Sequence, residues 1–232
     1  MNYETLDLTM NPQEEARRRH KLRSFIKENC GRTHFSKKEC ETLLLVHYKL
    51  TKNRHMDRKY FRKVMYTLLD FSNDHLIENI FSAFDRENRL VITKESWLLG
   101  MSLLLRGSLD ERIAFCFKVY DFMGEGYIKR DQMFRLLKHT FRGTLLDEDP
   151  EEYVRDLIDL IMTKMDLDRD GLVSFDDYSR SVRKTPALLE ALGYCLPSRP
   201  AVYAFMSTLT PRVTTMHSKL YLSRAKVKMR DS

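Results

Sequence analysis

Four twelve-residue windows, starting at positions 49, 85, 121 and 166, carry apolar residues at the same offsets. One residue before each window stand Tyr48, Phe84, Tyr120 and Met165; four before stand Leu45, Phe81, Phe117 and Met162. The eighth position is Met56, Ile92, Ile128 and Val173, and the thirteenth is Phe61, Trp97, Met133 and Tyr178. The starts are 36, 36 and 45 residues apart. A register kept through four copies defines one supersecondary unit used repeatedly. Apolar residues three apart share a helix face, so each unit reads as helix, loop, helix. The eighth position then falls mid-loop, where two loops can pair as a short antiparallel ladder. The extra residues before the fourth window fall in an acidic connector, GTLLDEDPEE at 143–152.

Boundary signals agree. Asn11, Ser36, Ser108 and Asp149 each precede a glutamate by three residues, the spacing of a capping box. Gly31, Gly107 and Gly193 stand where helices should stop, and Pro186 opens a further short helix, PALLEAL. The expected fold is all-α, four helix–loop–helix units in two pairs with extra N- and C-terminal helices. Residues 1–35 form an N-terminal amphipathic helix, 36–107 a degenerate pair and 108–184 the pair with one competent loop. Residues 185–232 form a C-terminal helix and a basic tail, PRVTTMHSKLYLSRAKVKMRDS, to which no element is assigned.

The windows have the frame of an EF-hand loop. Such a loop takes oxygens from positions 1, 3 and 5, a carbonyl at 7, often a water held from 9, and a bidentate carboxylate at 12. Position 6 is glycine because the turn there is sharp. The fourth window, DLDRDGLVSFDD, supplies Asp166, Asp168 and Asp170, then Gly171, the Leu172 carbonyl, Ser174 and the closing Asp177. Aspartate is one methylene shorter than glutamate, about 1.5 Å of reach. The loop therefore closes through one oxygen or a water, which weakens calcium and favours magnesium. Calcium or magnesium is the expected ligand, at one site, with a shallow response near ~10⁻⁵ M.

The other windows are damaged. The third keeps Asp121, Glu125 and Gly126 but has Met123, Lys129 and Gln132 at positions 3, 9 and 12; its expected role is to pair Tyr127–Lys129 with Leu172–Ser174. The second has Asp85 and Glu87 but Arg89, Leu90 and Ser96 at positions 5, 6 and 12. The first is basic, with Lys49, Lys52 and Arg54. Met133, Met162 and Met165 read either as lining for a partner's helix or as plain core.

Charge and cysteine content narrow the function classes. The net charge of +7 conceals an acidic centre: residues 145–180 hold twelve acids and four bases, leaving +15 on the rest. Such asymmetry suits a cation site within a protein that meets acidic partners. No run reaches membrane-span length, and the N-terminus lacks both a secretory layout and a glycine after Met1. The four cysteines, Cys30, Cys40, Cys116 and Cys195, show no CxxC and read as reduced thiols in the cytosol. Cys30, His34 and Cys40 lack a fourth zinc ligand at finger spacing. None of the seven histidines sits in a catalytic motif, so no enzyme activity is expected. Within the aromatic-basic stretch 58–63, Phe61 is a repeat core position, which argues against nucleic acid.

The run GMSLLLRGSLDERIAFCFKVYDFMGEGYI, then DEDPEEYVRDLIDLIMTKMDLDRDGLVSFDDY, then LLEALGYCLP, resembles the calaxin family, EF-hand proteins of ciliary and flagellar outer dynein arms. HKLRSFIKENCGRTHFSKKECETLLLV is similar to the family's first helices, and the likeness covers about residues 20 to 197. It implies a calcium-responsive subunit in the axoneme that binds dynein heavy chain and the docking machinery, with the doublet microtubule surface nearby. It also implies calcium loops at the frames starting at 85, 121 and 166, with an aspartate closing the last as in the family. Two other readings stay open: an ion-insensitive scaffold, and a regulatory subunit of a soluble enzyme, as in calcineurin B or neuronal calcium sensors, which share RGSL and YDFMGEGYI.

Overall fold

The computed structural model describes residues 10–138 and 150–209. The acidic cap at Asp149, most of the connector and the basic tail lie outside the described residues. The chain opens with α1 (Pro12–Asn29), a 3₁₀ turn (Cys30–Arg32) and α2 (Lys37–Thr51), then α3 (Arg58–Leu69), α4 (Asp74–Phe84), α5 (Lys94–Arg106) and α6 (Leu109–Tyr120). It continues with β1 (Tyr127–Ile128), α7 (Arg130–Lys138), α8 (Pro150–Met165), β2 (Val173–Ser174) and α9 (Phe175–Lys184). A second 3₁₀ turn (Pro186–Glu190) and α10 (Arg199–Leu209) complete it.

The exiting helix starts at position 10 of all four windows. The cause is local: Asp57, Thr93 and Ser174, each at position 9, accept a backbone N–H from the residue three further on. In the third window the roles reverse, and Gln132 Oε1 accepts the Lys129 N–H at 2.9 Å. Entry differs in the first window. With no acid to draw the chain into a loop, α2 runs on through Thr51 and absorbs the first three loop positions.

The eighth positions pair as the register requires. Tyr127 faces Ser174 and Ile128 faces Val173 in an antiparallel two-stranded ladder, and in the other pair Ile92 donates to the Met56 carbonyl at 2.9 Å. Of the sixteen repeat positions every one is buried except Tyr48. Its ring is half-covered because α1 lies across it: the hydroxyl donates to Glu14 at 3.1 Å, and the Arg18 guanidinium sits 4.0 Å above the ring. Met133, Met162 and Met165 are core residues, 0%, 4% and 0% exposed, so they do not line an open groove.

The RGSL segment joins the two pairs by four separate devices. Arg106 reaches back to Glu39 at 2.6 Å and to the His34 carbonyl at 3.0 Å. Gly107 ends α5 where a Cβ would stand 2.5 Å from the Leu103 carbonyl oxygen. Ser108 starts α6 in a reciprocal capping box with Glu111. Glu111 also holds His34 at 2.6 Å, and among the described residues Cys30, His34 and Cys40 do not converge as a metal site. The two thiols touch each other at 3.2 Å, and Cys116 meets Cys195 at 3.0 Å; all four are buried and free.

The C-terminal segment departs most from expectation. Pro186–Glu190, the first five residues of PALLEAL, form the short helix as a 3₁₀ helix that packs on α6 and α9. Tyr178 donates to the Leu189 carbonyl at 2.6 Å and Tyr120 to the Gly193 carbonyl at 2.7 Å. Burial pushes both phenols well above their ordinary pKa, which keeps them as donors at any physiological pH. The Leu189 carbonyl also accepts from Tyr120 at 3.3 Å, so loss of the Tyr178 hydroxyl removes the shorter of its two bonds. Tyr178→Phe is expected to lower unfolding free energy by about 1–2 kcal/mol in urea titrations, with no change in helix content. Beyond the turn, α10 crosses to the other pair and packs on α3 and α2, burying Phe205 and Leu209.

Candidate metal centre

A shared backbone trick shapes the second, third and fourth loops. The position-1 aspartate accepts N–H groups from the turn. Asp85 takes Arg89 and Leu90 at 2.9 and 2.7 Å, Asp121 takes Glu125 and Gly126 at 3.0 and 2.8 Å, and Asp166 takes Gly171 at 3.0 Å. These bonds hold position 6 in the left-handed region: Gly126 has φ 84° and Gly171 φ 85°. Leu90 is held there too, at φ 60°, with its side chain 63% exposed. A leucine in that region is strained. Leu90→Gly is therefore expected to leave stability unchanged or raise it by up to about 1 kcal/mol by thermal denaturation, despite glycine's entropy cost. At an ordinary exposed loop position the same change destabilises.

The loops differ in how their acids are neutralised. In the second, Arg89 forms an ion pair with Glu87; in the third, Lys129 Nζ lies 2.8 Å from Glu125. The second and third loops thus each carry their own cation beside an acid. The fourth does not: among the described residues no lysine or arginine pairs with Asp166, Asp168 or Asp170.

Those three carboxylates converge, each offering an oxygen within 4.8 Å of the others. Asp166 Oδ1 is buried and has no hydrogen-bond partner. Asp168 Oδ1 accepts the Asp170 N–H at 3.3 Å, and Asp170 Oδ1 accepts the Leu172 N–H at 2.8 Å. Asp168 is pushed above the ordinary aspartate pKa: the Asp170 N–H bond pulls it down, but desolvation and the charges of Asp170, Asp177 and Asp166 outweigh it. Like charges held this close want a cation. An orphaned buried oxygen, convergent hard donors and the left-handed glycine fit a small divalent ion.

Asp177 is placed differently. It is 4% exposed, and its Oδ2 accepts from the Ser174 backbone N–H at 3.2 Å and the Ser174 hydroxyl at 2.6 Å. It serves as the N3 residue of the capping box that starts α9, and it is not among the three convergent carboxylates. The signal for that role was present in the sequence, since Ser174 and Asp177 have capping-box spacing with aspartate in glutamate's place. Leu172, expected to offer its carbonyl, sits between this cluster and β2 with its N–H committed to Asp170.

Paired helix–loop–helix units, a loop–loop ladder and one convergent acidic loop define an EF-hand protein, of the calcium-binding class. A family model described as an EF-hand domain pair matches residues 110–183. The chain is 37% identical over 179 residues to calaxin of Xenopus laevis, covering 74% of this chain and 86% of that protein. It is 36% identical over 184 residues to calaxin of Homo sapiens (76% and 86%) and 35% over 179 residues to calaxin of Danio rerio (74% and 85%). The chain belongs to the calaxin family.

Proposed function

We propose that this chain is a calcium-responsive regulatory adaptor working at the outer dynein arm of cilia or flagella, where it binds dynein and docking-complex subunits on the microtubule doublet. One ion is held by Asp166, Asp168 and Asp170, with the Leu172 carbonyl and Asp177 completing the shell. The pair formed by 36–107 acts as framework and the pair formed by 108–184 as the ion-holding unit. The observation that carries this reading is the contrast between loops: two neutralise their own acids with Arg89 and Lys129, while the fourth gathers three without a counter-cation.

The bound ion would neutralise the cluster and draw on Asp177 at the first turn of α9. Asp177 would reach the ion with Oδ1, or with Oδ2 by loosening its bonds to Ser174, so ion binding and the start of α9 are coupled. That helix carries Tyr178, which fastens the C-terminal segment through Leu189. Calcium would thereby act on how firmly the segment after α9 is held. The short side chain of Asp177 also favours a six-oxygen shell, which leaves magnesium as a resident at low calcium.

Affinity purification of the tagged chain from motile ciliated cells, with calcium or with chelator, tests the reading. Axonemal dynein and docking subunits are expected among the partners, with recovery that depends on calcium. A soluble kinase or phosphatase in their place would overturn the ciliary assignment. Recovery of dynein that ignores calcium and the Asp166→Ala change would support the ion-insensitive scaffold. Among the described residues no helix is long and apolar enough to cross a membrane.

A further inference from the structure

We infer that the face made by α1 and the start of α2 is a docking surface for an acidic polypeptide segment. The cations of α1 divide into two sets. On the side facing α2, Arg18 covers the Tyr48 ring, and Arg19 bonds to Glu15 at 2.6 Å and Glu41 at 3.1 Å. Lys49 and Lys52 from α2 complete that network with Glu15 and Glu14. Arg17 and Lys21 are exposed on the flank beside them, where they line a concavity with Glu14, Arg18 and Tyr48, and Arg23 and Lys27 are exposed on the other flank. Lys37 and Lys38, in the first turn of α2, join Arg23 and Lys27 around a concavity of about 440 Å³. Its remaining lining is Ile26 and Glu41, and Glu41 is already held by Arg19.

Among the described residues none of Lys21, Arg23, Lys27, Lys37 and Lys38 has an ion-pair partner, and Arg17 bonds only to the Gln13 carbonyl. Glu28 is the one carboxylate on the exposed arc of α1 from Arg17 onward. Arg17 with Lys21, and Arg23 with Lys27, are like-charge pairs four apart, an arrangement that works against the helix. The molecule thus pairs the cations facing α2 and gathers Arg23, Lys27, Lys37 and Lys38 on the other flank, which favours an external counter-charge.

The chemistry selects a polypeptide. None of the exposed large apolar side chains lies on α1 or α2, so nothing here would enter a bilayer. Phe25 is half-buried under Lys94 at 4.2 Å, which leaves the exposed His20 imidazole as the one ring of α1 open to a base. From Arg23 to Lys27 the helix rises about 6 Å, which about two residues of extended acidic chain would span. The surface depends neither on the ion nor on the dynein reading.

The test is fluorescence anisotropy with a labelled deca-glutamate peptide and the full-length chain. Saturable binding is expected at low salt, weakening at least about tenfold as the Debye length shrinks. Lys27→Glu/Lys37→Glu/Lys38→Glu should weaken it at least about tenfold. Lys59→Glu/Lys164→Glu/Lys184→Glu, equal in charge and placed on other exposed faces, should change it less than about threefold. Circular dichroism confirms that both variants are folded. Absence of saturable binding at low salt, or an equal loss in both triples, would overturn the proposal. So would tighter binding of anionic phosphatidylserine vesicles or single-stranded DNA of matched charge.

Discussion

Asp166→Ala is expected to weaken calcium binding at least about 100-fold, or about 2.7 kcal/mol, in calorimetric titrations run in millimolar magnesium. Two losses combine. The buried Oδ1 has no protein partner and is the donor least replaceable by water, while Oδ2 anchors the Gly171 N–H that sets the turn. Asp121→Ala, the same change in the third loop, is the control. It cuts the equivalent anchor to Glu125 and Gly126, but the Lys129–Glu125 pair already occupies that loop's charge, so calcium heat should be retained. An unchanged titration in Asp166→Ala, or a comparable loss in Asp121→Ala, would remove the distinction between working and silent loops.

The second large effect is on acid stability and comes from His47. The ring is buried between the first two windows, with Nε2 3.1 Å from the Ile92 carbonyl and its centroid 5.8 Å from Trp97. A carbonyl can only accept, so Nε2 carries the proton of the neutral ring. Burial pushes the pKa down to about 4, aided by the charges of Arg18 and Lys94 and opposed by the Ile92 bond. In the unfolded chain the ring titrates near its ordinary value of 6.5. Between those two values the unfolded state binds a proton that the folded state refuses. The stabilisation is therefore fully present above pH 6.5 and is lost as pH falls toward 4, by about 3 kcal/mol in total. Urea unfolding of the native chain and of His47→Gln across that range isolates the effect from the carboxylates. The native curve should fall more steeply, and parallel curves would contradict the account.

How far the sequence could be read depended on whether a local pattern carried the cause. The repeat was legible because burial at −4, −1, 8 and 13 demands large apolar side chains in every copy. Tyr48 breaks the pattern through Glu14 and Arg18, which lie more than two dozen residues away and share no motif with it. The three convergent aspartates were readable from spacing alone, because alternate loop positions turn toward one point once Asp166 has fixed the turn. Capping hid the other side of Asp177: as a loop residue it looks like a ligand, and as the third residue of a helix it serves Ser174. Leu90 could not be foreseen in a left-handed turn, since its side chain argues against that conformation and only the Asp85 hydrogen bonds impose it. Helix α10 is hard to read from the sequence although Ser198 accepts the Ala201 N–H and Val202, Phe205, Met206 and Leu209 follow helical spacing. Pro197 and Pro200 masked it, yet Pro200 falls within the helix's first turn, where proline is tolerated.

The fold's silent loops follow the same logic. Arg89 and Lys129 replace a metal with a tethered cation, which preserves the turn and the ladder without any ion in solution. The ladder pairs Tyr127 with Ser174 and Ile128 with Val173, so the third loop lies beside the fourth with its own acid already paired.

Native mass spectrometry of the full-length chain, titrated with calcium in a magnesium-containing volatile buffer, tests the central claim most directly by counting ions. The account predicts one specific calcium per chain, absent from Asp166→Ala and retained in Asp121→Ala. A chain that takes up none, or two or more with equal affinity, would contradict it.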